Sequence, residues 1–347
     1  MIHERAARAR LLKFFARGGP IASCGVLFAL GLGVDAQATP VITSFDPAGS
    51  TGTEVTGINA GGVIAGYYND STSVPHGFVR ASDGTITSFD PKGSSATHVA
   101  GINTKGEIVG TYTDPATGQW GYVRAVNGKF HKFQENSNAN PTCINDGATT
   151  AGWFGGTDTY IHGFVRSAGG AFTSFDIPGE GTTFGTYPNA INKTGTVTGA
   201  WLDPNQVAHG FVRGANGAIT TFDPPNALTT NSTGIDEAGA ITGYFSDSSG
   251  EHGFVRAVDG SFTIFDPPSS FGTVAAEINA KGAVVGSYVV DNESNSAGFV
   301  RAPGGKITSF SAPGSGYTYA TAINRNGEIT GYDYGDDDVY HGFVRTP

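Results

Sequence analysis

Hydrophobic and polar positions alternate along this chain in short bursts. The first clear set is Val55-Thr56-Gly57-Ile58-Asn59, then Val63-Ile64-Ala65-Gly66-Tyr67-Tyr68, Gly77-Phe78-Val79-Arg80-Ala81 and Thr85-Ile86-Thr87-Ser88-Phe89-Asp90. A period of two, bounded by Gly, Asn and Asp, predicts four short strands. Gly-Phe or Gly-Tyr followed by Val-Arg then recurs at Gly77, Gly121, Gly163, Gly210, Gly253, Gly298 and Gly342, at spacings of 42 to 47 residues. Several strands per unit at that period are the signature of propeller blades. The expected fold is all-β, a seven-bladed β-propeller of four-stranded blades with no helix.

The turns refine this expectation. Six units carry Asp83-Gly84, Asn127-Gly128, Gly169-Gly170, Asn216-Gly217, Asp259-Gly260 or Gly304-Gly305 between the third and fourth strands. Such dipeptides suit two-residue type I′ turns, which would set Phe78 opposite Phe89, Tyr122 opposite Phe133 and Phe211 opposite Phe222. Between the first and second strands, Asn59 and Gly62 fit a type I turn closed by a left-handed glycine. The third unit, Asn145-Asp146-Gly147, reads as one residue shorter. The last Gly342-Phe343-Val344-Arg345 lacks a following strand, and Val41-Ile42-Thr43-Ser44-Phe45-Asp46 is an unpaired copy of one. Pairing the two would close the ring, with the Asn-bearing strands lining a central channel.

Residues 1–38 read differently. Arg5, Arg8, Arg10, Lys13 and Arg17 precede an apolar run from Ile21 to Val34 and an Ala36-Gln37-Ala38 cleavage pattern. That is the layout of a secretory signal peptide, which predicts a secreted (extracellular or periplasmic) domain over 39–347 with no membrane anchor, expected as a monomer. Without the leader the chain keeps 28 acidic but only 15 basic residues, a poor match to nucleic acid. Cys143 is then the one remaining cysteine. It holds a position filled elsewhere by Gly57, Gly101, Ala190, Gly234, Glu277 and Ala322, which predicts a buried small side chain.

With the tight turns on one face, the longer connections mark the other as the candidate binding surface. Its candidate ligand-binding residues are Asp70, Asp114, Trp153, Asp203, Asp247, Asp336 and Asp337, with Tyr187, Tyr317 and Tyr319 as further rings for sugar stacking. A His stands before the Gly-aromatic step at His76, His162, His209, His252 and His341, each expected to satisfy its own loop backbone. The seven Arg of the Val-Arg step predict a structural ion pair or an aromatic stack; Asp46, Asp90, Asp176, Asp223 and Asp266 are possible partners. The third unit, with His131 and Gln134-Glu135-Asn136, is the one mild asymmetry.

No nucleophile elbow, zinc-protease motif, phosphate loop or paired-Cys site occurs, so no catalytic residue, metal or cofactor is assigned. The Ile-Asn-x-x-Gly-x-Ile-x-Gly-Tyr stretch followed by His-Gly-Phe-Val-Arg resembles the bacterial HAF-type extracellular repeats over residues 41 to 347. That resemblance implies an exported propeller-like protein and carries no functional residues over. The expected function is a binding module for a glycan or an extracellular protein, the alternative being an extracellular lyase or hydrolase at the channel mouth.

Overall fold

A computed structural model describes residues 40–135, 138–158, 160–177, 184–291 and 295–347. The leader reading and Asn136 lie outside these residues. The described residues form 28 strands and no helix. In the first repeat the inner strand is Gly52–Ile58, the second Ile64–Asn69, the third Pro75–Arg80 and the outer Ile86–Phe89, each antiparallel to the next. The same order recurs along the chain. In the last repeat the outer place is taken by Val41–Phe45, which pairs antiparallel with Tyr340–Thr346.

The expected cross-strand register is off by one. Phe89 faces Gly77, Phe78 faces Ser88 and Arg80 faces Ile86; Phe133 likewise faces Gly121 and Phe222 faces Gly210. The turn holds three residues rather than two: Gly84 N donates to Ala81 O, and Ala81 N to Thr85 O. Gly84 has φ 92° while Asp83 has none of the positive φ that a type I′ turn needs. This is a type I turn with a glycine bulge, and Asp-Gly serves both turn types. The third unit's first turn is not shorter either. Ala148 N donates to Asn145 O and takes φ 55° where the first repeat has Gly62.

With the register corrected, the aromatic pairs run between repeats. Phe45 packs on Phe78, Phe89 on Tyr122, and so on to Phe310 on Phe343, with centroids 5.8–6.5 Å apart and rings near perpendicular. Gly77 is small because the Phe89 ring lies on it: an added Cβ would meet Phe89 Cε2 at 2.5 Å. Each repeated Arg lies over the outer-strand Phe of the preceding repeat, Arg80 over Phe45 and Arg345 over Phe310, at 4.6–5.0 Å from the centroid. The stack is the correct half of the Arg expectation, and each such contact is worth about 0.5–1 kcal/mol.

The inner strands are tied together by side-chain amides. Asn103, Asn145, Asn192, Asn279 and Asn324 each donate Nδ2–H to the backbone carbonyl at the same position of the following repeat, at 3.0–3.2 Å. For Asn324 the acceptor is Asn59 of the first repeat. Their Oδ1 atoms cap their own turns, as Asn59 Oδ1 does for Gly61 and Val63. Cys143 is half-buried where a buried side chain was expected, because it borders the channel cavity; desolvation pushes its thiol up to about 12.

Candidate functional site at the channel mouth

The connection between the second and third strands is tighter than the sequence suggests. Asp70 N donates to Val74 O and Ser73 N to Asp70 O, so this too is a hairpin turn. Its Asp side chain caps it. Asp70 Oδ1 accepts from Thr72 N, Thr72 Oγ1 and Val74 N, and these bonds, the Thr72 hydroxyl first, hold its carboxyl well below the usual range. Asp114 caps Ala116 and Thr117, Asp203 caps Asn205 and Val207, and Asp247 holds Ser249. Asp337 bonds His341 and Val339 N, while Asp336 stands exposed in the same turn. These carboxylates sit in separate repeats, and the geometry gives most of them a local backbone task.

The five His do not satisfy loop backbone. Each Nδ1 bonds the Asp that ends the outer strand of its repeat, His76 with Asp90, His162 with Asp176, His209 with Asp223, His252 with Asp266 and His341 with Asp46, at 2.7–2.9 Å. The Asp expected to meet Arg is thereby used. Asp46, Asp223 and Asp266 also accept from Thr53, Thr230 and Thr273 of the next inner strand at 2.5–2.6 Å, linking neighbouring repeats. His76, His162, His252 and His341 also reach the turn Asp through Nε2. Burial opposes protonation at His76, His162 and His341, but the flanking carboxylates win and raise the imidazole above its ordinary value. At His252 the Asp266 hydrogen bond is the largest influence, in the same direction.

One register row behaves differently. It pairs Glu54 with Tyr67, His98 with Thr111, Asn140 with Trp153, Tyr187 with Ala200, Asn231 with Tyr244, Val274 with Ser287 and Tyr319 with Tyr332. It lies two residues above the Thr56 level that lines the channel cavity, toward the longer connections. At the Thr53 level beside it, six of the seven inner strands carry Thr; in this row no residue type recurs in that way. Tyr67 donates to Glu54 Oε2 at 2.5 Å, and its ring meets His98 edge-on at 4.9 Å. Burial, then Glu54, raises the Tyr67 hydroxyl, and the same two causes push Tyr332 up to about 12. His98 reaches solvent through the concave mouth, yet the surrounding atoms lower its imidazole below the ordinary value, with Glu54 opposing. Trp153 stands against Tyr187 at 5.9 Å and Tyr319 against Tyr332 at 5.2 Å. Above the row, Phe184, Leu228 and Phe271 are 41%, 61% and 60% exposed at the foot of three consecutive inner strands.

Trp153, Tyr187 and Tyr319 are half-buried and share this register row. Tyr317 packs on Tyr334 at 6.0 Å. Glu54, Tyr67 and His98 are invisible to a pattern built on recurring residues. The available signal was their failure to recur at an aligned position. This arrangement offers an imidazole lowered below its ordinary value, a carboxylate fixed by a phenol and aromatic side chains in the same row, which suits acid–base chemistry on a stacked ligand.

No family model and no curated protein matches the chain. Among solved structures, virginiamycin B lyase from Staphylococcus aureus, solved as a catalytically inactive histidine-to-alanine variant with quinupristin, is similar at 15% identity and TM-score 0.55. The match covers 89% of this chain and 100% of that one. The β-propeller domain of the Trilobed protease from Pyrococcus furiosus matches at 8% identity and TM-score 0.58, covering 85% and 94%. A prolyl endopeptidase matches at 12% identity and TM-score 0.61 over 82% of this chain, which spans 46% of that longer one. At such identities the likeness carries the fold alone, and with the four-stranded units it makes this chain a β-propeller.

Proposed function

We propose that the protein is an exported seven-bladed propeller, closed by the strand Val41–Phe45, and that it is a lyase or hydrolase acting at the channel mouth through Glu54, Tyr67 and His98. The observation that carries this reading is the cluster itself: the His98 imidazole edge-on to Tyr67, whose hydroxyl fixes the Glu54 carboxylate. His98 takes the proton, from a carbon next to the leaving group in a lyase or from water in a hydrolase. Glu54, oriented by Tyr67, accepts a hydrogen bond from the substrate, and Trp153 and Tyr187 stack a sugar or another flat group. Lyase and hydrolase neighbours with this fold agree with the reading. Leader, ring closure and resemblance to HAF-type repeats support export and the blade count.

A panel of polysaccharides and esters tests it. His98→Ala and Glu54→Gln should each lower turnover by about 10²–10⁴-fold with unchanged melting. Because the His98 imidazole sits below its ordinary value, the rate should persist at pH values where a free histidine is already protonated. Unchanged rates in both variants would remove this site. The second reading, a glycan-binding module without turnover, draws on the Trp153–Tyr187 pair. It expects sugar binding that survives His98→Ala and fails in Trp153→Ala.

A further inference from the structure

Below the mouth, two cavities of about 200 and 390 Å³ follow one another along the channel. Ile58, Ile102, Ile144, Ile191 and Ile235 border both, their side chains taken up in the packing between repeats, and the one charged residue the two cavities share is Glu277. Glu277 stands where every other repeat has Gly, Ala or Cys. Its Oε2 accepts from Ile323 N of the next repeat at 2.7 Å, which anchors the side chain. No lysine or arginine lines the upper cavity to answer its charge. A carboxylate confined in a narrow channel is costly without a counter-charge.

The polar groups nearby are acceptors. Thr142, Thr233 and Thr321 commit their hydroxyl protons to Pro188 O, Ala275 O and Val55 O at 2.6, 2.9 and 3.0 Å, so their lone pairs remain to accept. Asn189 donates one Nδ2–H to Ser232 O, leaving Oδ1 as an acceptor and one further N–H. A ring of hydroxyl acceptors with one carboxylate forms a poor metal site, and no group of three acidic, His or Cys side chains among the described residues is arranged to hold an ion. The set matches an ammonium head with three donors. The lower cavity adds Asp146, Asp236 and Glu237 against Lys193 and Arg325, a net negative lining that suits a second ammonium.

The geometry points to the channel waist as a binding site for a primary ammonium, best filled by a short α,ω-diamine, with Glu277 as counter-charge in the upper cavity and the net negative lining of the lower cavity for the second ammonium. This site is separate from the mouth and does not depend on any reaction there.

The test is calorimetric titration of the full chain with 1,4-diaminobutane and n-butylamine, with n-butanol and calcium chloride as comparison probes. Saturable binding of both amines, the diamine more tightly, with n-butanol silent, is the expected result. Glu277→Gln and Glu277→Ala should weaken amine binding at least tenfold. The Ala variant carries a residue that other repeats hold at this position, so it is expected to fold, and its melting curve checks that. Amines that do not bind, or that bind the variants as well as the parent, would overturn the assignment. So would calcium binding that needs Glu277 where the amines show none.

Discussion

Asp236 interrupts the amide circle that joins the inner strands, and Asp236→Asn should stabilise the protein. At the corresponding position five asparagines donate Nδ2–H to the next repeat's carbonyl at 3.0–3.2 Å. Asp236 is buried, and its side chain carries no amide hydrogen to offer the carbonyl of Asn279. Its Oδ1 already accepts from Ala238 N, Gly239 N and Ala240 N at 2.8–2.9 Å, a task an asparagine oxygen performs in the other turns. The substitution therefore adds one buried hydrogen bond, about 0.5–1.5 kcal/mol, and relieves a carboxylate facing a carbonyl. It weakens the three capping bonds by removing their charge assistance, about a few tenths each. The net expectation is a gain of about 0.5–1 kcal/mol. Asp236→Ala, which removes the cap and adds no donor, should lose about 1–2 kcal/mol. Urea unfolding followed by tryptophan fluorescence, with both variants beside the parent, measures the two shifts. If Asp236→Asn unfolds at lower urea than the parent, the amide circle contributes nothing and the reasoning fails.

Ala148 sits at φ 55°, so Ala148→Gly should raise stability by about 1 kcal/mol while Gly62→Ala lowers it, both read from urea midpoints. Deleting residues 39–47 removes the partner of Tyr340–Thr346, the ring under Arg80 and the carboxylate on His341; it should cost several kcal/mol and promote aggregation, seen in melting and light scattering. A permutant joining Pro347 to Val41 through Asp-Gly places five residues between Arg345 and Ile42, as between Arg80 and Ile86, and should melt like the parent. Burial raises Glu277 from 4.5 to about 7, so its stabilising contribution is full below pH 4.5 and is lost as pH rises through 7. Relative to Glu277→Ala, the parent should lose up to about 3 kcal/mol across that window; parallel pH profiles would show that the carboxylate is not desolvated.

The strands, the turn positions and the pairing of Val41–Phe45 with the last repeat were legible because they rest on recurring glycines, aromatics and period-two patterning. The Phe78–Phe89 register was not, since Asp83-Gly84 fits a two-residue and a three-residue turn equally and a single residue of difference moves every ring to the opposite face. The His–Asp bonds were hidden for a related reason. Their partners lie 14 residues apart at the ends of adjacent strands, a separation set by that same turn. The mouth row was the least visible, because repetition in a sequence reports packing, and Glu54, Tyr67 and His98 are residues that packing does not dictate.

The outer-strand place of the last repeat is filled from the other end of the chain. Asp46 finds its His341 partner 295 residues further on, and Phe45 lies against Gly342. A chain emerging from its N-terminus therefore keeps its first strand unsatisfied until its final residues arrive. Loop-closure entropy of that size makes the last pairing a late and slow event in folding. Until then Phe343 and the Tyr340–Thr346 edge are open to any passing strand. The time between synthesis of the last repeat and capture of residues 41–46 is the period in which the protein is most exposed to domain exchange with another copy of itself.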